Sequence, residues 1–562
     1  MSKRFATFVY LFTLVFFACF FLLPIIEILK GGFFDNNGHF SLGYLKAVFA
    51  NPIYVEGLRN AFAMGFFSTI LALLLALPLA YFADKYDFPL KSLFMSLVLL
   101  PIMLPPFVGA IGIQKILGTY GAFNAILLKI GLLAQPVDWI GKSQFWCIIV
   151  LNALSYYPIL YLNTLASLAN IDPAMEEAAG SFGCVGLKRF FKITLPLMRP
   201  GLFAGCTIVF IWSFTELGVP LIFDYNRITP VQIYNGLKEI SGNPFPYALV
   251  SVMLFFSVFC YAVGKGLFGR NTFVMMSKAT HASANRQLGP FRKVLAVSLF
   301  SALSIFALLP HLAVILFSFS SDWYATILPE GWTTANYIAA LGHDLTVPAI
   351  KNSLIYASFA TVLAVVIGTS VAFVVVRTKL PGRHFLDSIT MLPLAIPGLV
   401  MAFGYLAISQ RGRIFESLNP IQNPTILLII AYAVRKLPFM VRSAVSGLQQ
   451  SSPAYEEAAQ NLGCKPLKAS LKITLPLIMA NLMAGGLLVF SQTMLEVSDS
   501  IILAQKQQFF PITKAIYELM SLLGEGPYLA CALGVWAMTF LAITVWGASK
   551  LMGKNLGAIF KV

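Results

Sequence analysis

Five ionisable residues interrupt long apolar runs in this 562-residue chain: Glu216, Arg435, Lys436, Glu496 and Asp499. Glu216 and Glu496 are 280 residues apart (496 − 216 = 280), and Asp499 follows one helical turn after Glu496. Arg435 and Lys436 fall where the first half of the chain has Tyr156 and Tyr157. An ionised side chain inside a bilayer costs several kcal/mol, so such residues line a cavity or pair with one another. Two roles are therefore open to this group. It could touch a polar solute on a pathway, or Glu216 and Glu496 could brace the structure through hydrogen bonds or through Arg435. Catalytic chemistry has no comparable signature. The five histidines (39, 281, 311, 343 and 384) are scattered, and no HExxH or Gly-x-Ser-x-Gly occurs. The seven cysteines (19, 147, 184, 206, 260, 464 and 531) form no CxxC pair and no Cys/His cluster. We expect no catalytic residue, no resident cofactor or metal, and no disulfide.

A second constellation occurs twice. Glu176-Glu177-Ala178-Ala179, Gly183, Ile193, Leu195 and Pro196 recur as Glu456-Glu457-Ala458-Ala459, Gly463, Ile473, Leu475 and Pro476. Every pair is 280 residues apart (457 − 177 = 280). Each copy is a short polar, basic island, 170–195 or 450–475, set between apolar runs. Asp172-Pro173 and Ser452-Pro453 supply a capping oxygen and a first-turn proline. The acids complement the helix dipole, and the glycine ends the helix. The spacing predicts short helices over 172–183 and 452–463 with small alanines on one face. Such a helix, pinned at both ends to apolar segments, can pass a rigid push from a partner. Two copies imply a partner present twice.

The segments that position these groups are membrane spans. The chain is 58% hydrophobic and only 11% charged, against roughly 25% charged in a soluble protein. Its mean hydropathy is +0.80. Spanning a bilayer takes about 20 apolar residues per helix. Twelve stretches qualify, near 5–29, 59–83, 92–116, 143–168, 197–222, 246–268, 294–318, 352–376, 385–409, 425–448, 477–502 and 527–550. The first, after Met1-Ser2-Lys3-Arg4, is too long for a signal-peptide core and reads as an uncleaved span. The net charge of +16 does not point to nucleic acid. With both termini in the cytoplasm, most Lys and Arg fall in cytoplasmic segments, which is the positive-inside pattern.

The fold class expected is therefore an all-α polytopic membrane protein of about twelve spans in two tandem six-helix repeats. The halves are 1–264 and 294–562, joined by a polar cytoplasmic linker, 265–293. Further pairs support the duplication: Leu23-Pro24 with Leu309-Pro310, Arg59-Asn60 with Lys351-Asn352, and Leu100-Pro101 and Pro105 with Leu392-Pro393 and Pro397. Both halves run in the same direction, as in parallel repeats that enclose a pathway at their interface. The paired prolines break span three of each half and suggest hinges or an outer gate.

On the residues Glu177, Ala178, Ala179, Gly183, Ile193, Leu195 and Pro196 and their second copies, each island resembles the cytoplasmic loop of permease subunits of binding-protein-dependent ABC importers. The fused two-copy form is most similar to ferric-iron permeases and to related phosphonate and thiamine permeases. The resemblance implies a type I importer permease in a bacterial inner membrane. It implies two copies of a cytoplasmic ATPase, which use ATP-Mg, docked on helices bearing Glu176, Glu177, Ala178, Ala179 and Gly183, and Glu456, Glu457, Ala458, Ala459 and Gly463. An extracytoplasmic solute-binding protein would deliver the substrate. Gly141-Lys142-Ser143 has the ending of a phosphate-binding loop, but Pro136 stands at its first glycine position. The ATPase is thus expected on separate subunits. Ferric iron leads as substrate from resemblance alone. A phosphonate is second, because Arg435 and Lys436 would suit an anion, and thiamine or a polyamine ranks lower. An ion-coupled carrier of two six-span halves is the competing class, though it has no use for the duplicated island.

Overall fold

The computed structural model describes residues 3–34, 38–103, 105–237, 245–268, 286–287 and 289–551. Most of the expected linker, 265–293, lies outside the described residues. Within them the chain is mainly helical, with irregular loops such as 319–334 and 409–424, and its strand pairing is confined to a two-residue parallel ladder of Tyr86–Asp87 on Arg286–Gln287 and two isolated bridges.

Nine described helices are long and apolar enough to cross a membrane, and two bent pairs would bring the number to eleven. The remaining expected span, the tenth in chain order, is the helix Thr425–Gln450, whose apolar character is diluted by Arg435, Lys436 and Arg442. The expected third span is not one rod. It divides into helix Lys91–Leu99, a 3-10 turn Leu100–Met103 and helix Pro106–Leu117. Its counterpart divides at Leu392–Leu394, and the flanking helices meet at 99°. The prolines explain both breaks, since each removes a backbone donor and crowds the preceding turn.

In the first half, spans two (Pro52–Lys85), four (Trp139–Ala169) and five (Leu195–Phe214) pack on one another. In the second half, spans eight (Thr346–Arg377), ten (Thr425–Gln450) and eleven (Met479–Met494) do the same. The halves are fastened by exchange. Span one (Lys3–Phe33) packs on the helix Gly398–Ile408 of the second half, where the Tyr405 hydroxyl donates to the Phe20 carbonyl at 2.6 Å. Span seven (Pro290–Ser318) packs on Pro106–Leu117 of the first half.

Both crossings need a glycine. A Cβ at Gly404 would stand 2.8 Å from the Pro24 Cβ, and one at Gly112 would overlap the Pro310 carbonyl oxygen. Gly112 and Gly404 are 292 apart, the spacing of the proline breaks (393 − 101 = 292). The duplicated Leu-Pro pairs therefore mark the two points where one half locks onto the other. Small residues at such crossings let helix backbones approach closely in lipid.

Candidate functional site

Spans five and eleven end short of the acids they were expected to contain. The helices stop at Phe214 and Met494, and new helices start at Gly218 and Ser498. Glu216 and Glu496 occupy the breaks. The Glu216 Oε1 accepts from the backbone N–H groups of Gly218 and Val219, at 3.0 and 3.3 Å. These donors open a helix and have no partner within it, so the carboxylate satisfies them. Its Oε2 accepts from the Tyr156 hydroxyl at 2.6 Å.

The second copy is wired differently. Arg435 Nη1 donates to Glu496 Oε1 at 2.5 Å and to Asp499 Oδ2 at 2.9 Å. Lys436 Nζ lies 2.9 Å from Glu496 Oε2. All four side chains are largely buried, Asp499 completely. The Arg435 guanidinium lies against Gly398, where any side chain would overlap it. Two cations thus face two acids here, while Glu216 has hydrogen bonds but no ion-pair partner among the described residues.

Glu216, Tyr156, Arg435, Lys436 and Glu496 line one cavity of about 130 Å³. The proline breaks Pro101, Pro105 and Pro106, and Pro393 and Pro397, form its walls, so both halves contribute. Ser155 lines it too, at the position equivalent to Arg435 (435 − 155 = 280). The formal charge of Glu216, Glu496, Asp499, Arg435 and Lys436 together is −1 (2 − 3 = −1).

The islands form the short helices their spacing predicts, Pro173–Ser181 and Ala454–Asn461. Asp172 accepts from the Ala174 N–H at 2.9 Å, and Ser452 from the Ala454 N–H at 3.3 Å. Gly183 (φ +72°) and Gly463 (φ +87°) close the helices. The next N–H, of Cys184 or Cys464, returns to the carbonyl of Ala179 or Ala459 at 2.9 or 3.0 Å. This is the Schellman ending, which puts a left-handed residue, usually glycine, just past the helix. Glu177 and Ala178 on one helix, and Glu457 and Ala458 on the other, are exposed, whereas Glu176 and Glu456 turn inward and are buried. Phe182 and Leu462, matched at 280 residues, are each 90% exposed beside the glycines.

Residues 68–273 and 364–547 match the family of binding-protein-dependent transport system inner membrane components. The two matches fall one in each half and together take in well over half of the chain. The chain belongs to this family. It is the permease component of a binding-protein-dependent ABC importer.

The permease is 27% identical over 470 residues to the ferric transport system permease protein FbpB of Actinobacillus pleuropneumoniae, covering 82% of this chain and 65% of that one. It is 25% identical over 456 residues to the Fe(3+)-transport system permease protein FbpB 2 of Haemophilus influenzae, covering 80% and 82%. A solved bacterial ABC transporter involved in the import of the acidic polysaccharide alginate aligns with TM-score 0.36 and 16% identity, over 46% of this chain and 96% of that one.

Of the candidate pathway residues, the permease brings Glu216, Tyr156, Arg435, Lys436 and Glu496 to one cavity, with Asp499 directly behind Arg435. Tyr157 is elsewhere. It is buried in the packing of spans two, four and five, and its hydroxyl has no hydrogen-bond partner among the described residues. The register explains this. The uniform 280-residue offset pairs Tyr156 with Lys436 and Tyr157 with Leu437, one residue away from the alignment read off the sequence. Sequence reading also passed over Ser155, Phe182 and Leu462, to which the same offset could have pointed, and Gly398, which no spacing marks.

Proposed function

We propose that this permease carries a metal cation, ferric iron, through the cavity between its halves. It is driven by two cytoplasmic ATPase subunits docked on the helices Pro173–Ser181 and Ala454–Asn461. A binding protein would deliver the ion from outside, with both termini in the cytoplasm. ATP-Mg serves the partner subunits, and the permease itself keeps no cofactor. ATP binding draws the two docking helices together, and the halves rock open towards the binding protein; hydrolysis reverses the motion.

The observation that carries the cation reading is the imbalance in the cavity. Arg435 and Lys436 are each held by acids, so neither is free for an anion, whereas Glu216 on the same wall has no cation beside it among the described residues. The names of the FbpB relatives support the same substrate. A phosphonate reading would need a free cation in this cavity. On this view Glu216 and Tyr156 are the solute contacts, and Arg435, Lys436, Glu496 and Asp499 are a neutralised brace. The matched exposed faces around Glu177 and Glu457 support docking of two identical subunits.

The test is ATP hydrolysis by the permease assembled in nanodiscs with its ATPase, titrated with binding protein loaded with ferric iron, aminoethylphosphonate or thiamine. Stimulation by the iron-loaded protein alone is expected. Stimulation by another load would replace the substrate. The absence of any associated ATPase would favour an ion-coupled carrier.

A further inference from the structure

The docking helices are joined to the membrane by more than the chain that runs through them. Glu176 is buried with its carboxylate between two other elements. Its Oε2 lies 3.0 Å from Lys85 Nζ, the last residue of span two. Its Oε1 accepts from the Thr194 hydroxyl at 3.2 Å, in the π-helical turn Phe190–Thr194 that leads into span five. Glu456 repeats the arrangement. Its Oε1 accepts from Arg377 Nε at 3.1 Å, at the end of span eight, and from the Thr474 hydroxyl at 2.7 Å, in the π-helical turn Ser470–Thr474 before span eleven.

The two junctions differ in strength. Arg377 also donates through Nη2 to the Ser451 carbonyl at 2.8 Å and the Ser451 hydroxyl at 2.6 Å. Its fork therefore grips both the acid of the docking helix and the chain entering it. A guanidinium holds several acceptors in fixed geometry, which an ammonium does not. Lys85 is instead shared with Asp84, 3.3 Å away. The second junction is also drier, with Arg377 and Glu456 side chains 9% and 8% exposed against 16% and 11% for Lys85 and Glu176.

We propose that Glu176 and Glu456 are positioning residues that make each docking helix, the cytoplasmic end of span two or eight, and the entry to span five or eleven move as one body. The second junction is the stiffer of the two, so the two ATPase subunits drive unequal halves. This rests on the ATPase-docking reading above. The chain connects a docking helix only to spans four and five, or ten and eleven. Without the buried carboxylate, a push on the helix would reach span two or eight only through side-chain packing.

The test uses the full permease–ATPase complex. Glu456→Gln keeps the shape and one acceptor but removes the charge. Stimulation of ATP hydrolysis by loaded binding protein should fall about tenfold while the ATPase stays bound, within the usual range of coupling between sites, and Glu176→Gln should lower it by less, about threefold, just below that range. Spin labels at Asn461 and Lys379, with the native cysteines replaced, read the junction itself. Their separation should be the same with and without ATP in the parent, and should broaden and shift on ATP binding in Glu456→Gln. Full stimulation with an unchanged separation in Glu456→Gln would overturn the proposal, as would a separation that already shifts in the parent. If Glu456→Gln fails to assemble, Arg377→Gln removes the same ion pair without touching the docking helix, and a normally stimulated Arg377→Gln complex would equally overturn it. Failure of the unaltered chain to hold an ATPase would instead remove the docking reading.

Discussion

Replacing Arg435 by Met tests whether the second copy of the cavity wall is a brace. In the parent, Asp499 is completely buried and its only ion-pair partner among the described residues is Arg435. Glu496 has a second partner, Lys436, at 2.9 Å. Arg435→Met therefore leaves Glu496 paired and strands Asp499. Removing one member of a buried ion pair costs about 3–5 kcal/mol, because the remaining charge stays desolvated. We expect a loss near the lower end, about 3 kcal/mol, since Lys436 remains in the group. Asp499→Asn in the same chain removes the stranded charge and should recover most of that loss. The double-mutant cycle should give a coupling of about 2–3 kcal/mol between positions 435 and 499. The assay is unfolding by sodium dodecyl sulfate titrated into mixed micelles, followed by tryptophan fluorescence, with uptake into proteoliposomes measured on the same variants. Arg435→Met alone should be the least stable, and Arg435→Met/Asp499→Asn should be close to the parent in both stability and uptake. Two results would refute the reasoning. A double variant no more stable than Arg435→Met would mean that Asp499 is not held by charge. A stable double variant without uptake would mean that Arg435 touches the solute.

Glu216→Gln should leave the fold intact, since an amide oxygen in the Oε1 position still accepts from the N–H groups of Gly218 and Val219, yet reduce uptake at least tenfold, the equivalent of about 1.4 kcal/mol; normal uptake would remove Glu216 from the pathway. Gly183→Val and Gly463→Val force a β-branched residue to φ +72° and +87°, which costs about 1–2 kcal/mol each, so less ATPase should co-purify with either variant. Undiminished recovery of ATPase would separate the helix ends from docking. Gly112→Ala places a methyl group on the Pro310 carbonyl and should destabilise the permease by about 1–3 kcal/mol, whereas Gly486→Ala, with its nearest neighbour 3.5 Å away, should be close to neutral. Equal stability of the two variants would contradict the glycine crossing.

The sequence by itself determined the span pattern, the duplication and the two short capped helices of the islands. Each rests on local physics: apolar length, the capping oxygen of Asp172, the left-handed glycines 183 and 463, and a residue spacing that repeats. The cavity charges were visible too, because ionisable residues stand out in apolar runs. Tertiary structure decided what those charges do. Arg435 lies on span ten, Glu496 in the break after span eleven and Asp499 on the short helix beyond it, and their pairing depends on the angle at which span ten meets the end of span eleven. No local rule contains that angle. The helix breaks at Glu216 and Glu496 escaped notice for a related reason. No proline or glycine immediately precedes them, and the freed donors of the first are satisfied by a side chain two and three residues away. Glu176 and Glu177 are adjacent acids in one sequence motif, equal in every compositional sense. The helix turns one of them inward onto Lys85 and the other outward, because consecutive residues on a helix point about 100° apart. Which of the two faces the membrane depends on where spans two and five place their ends, and only the folded chain supplies that.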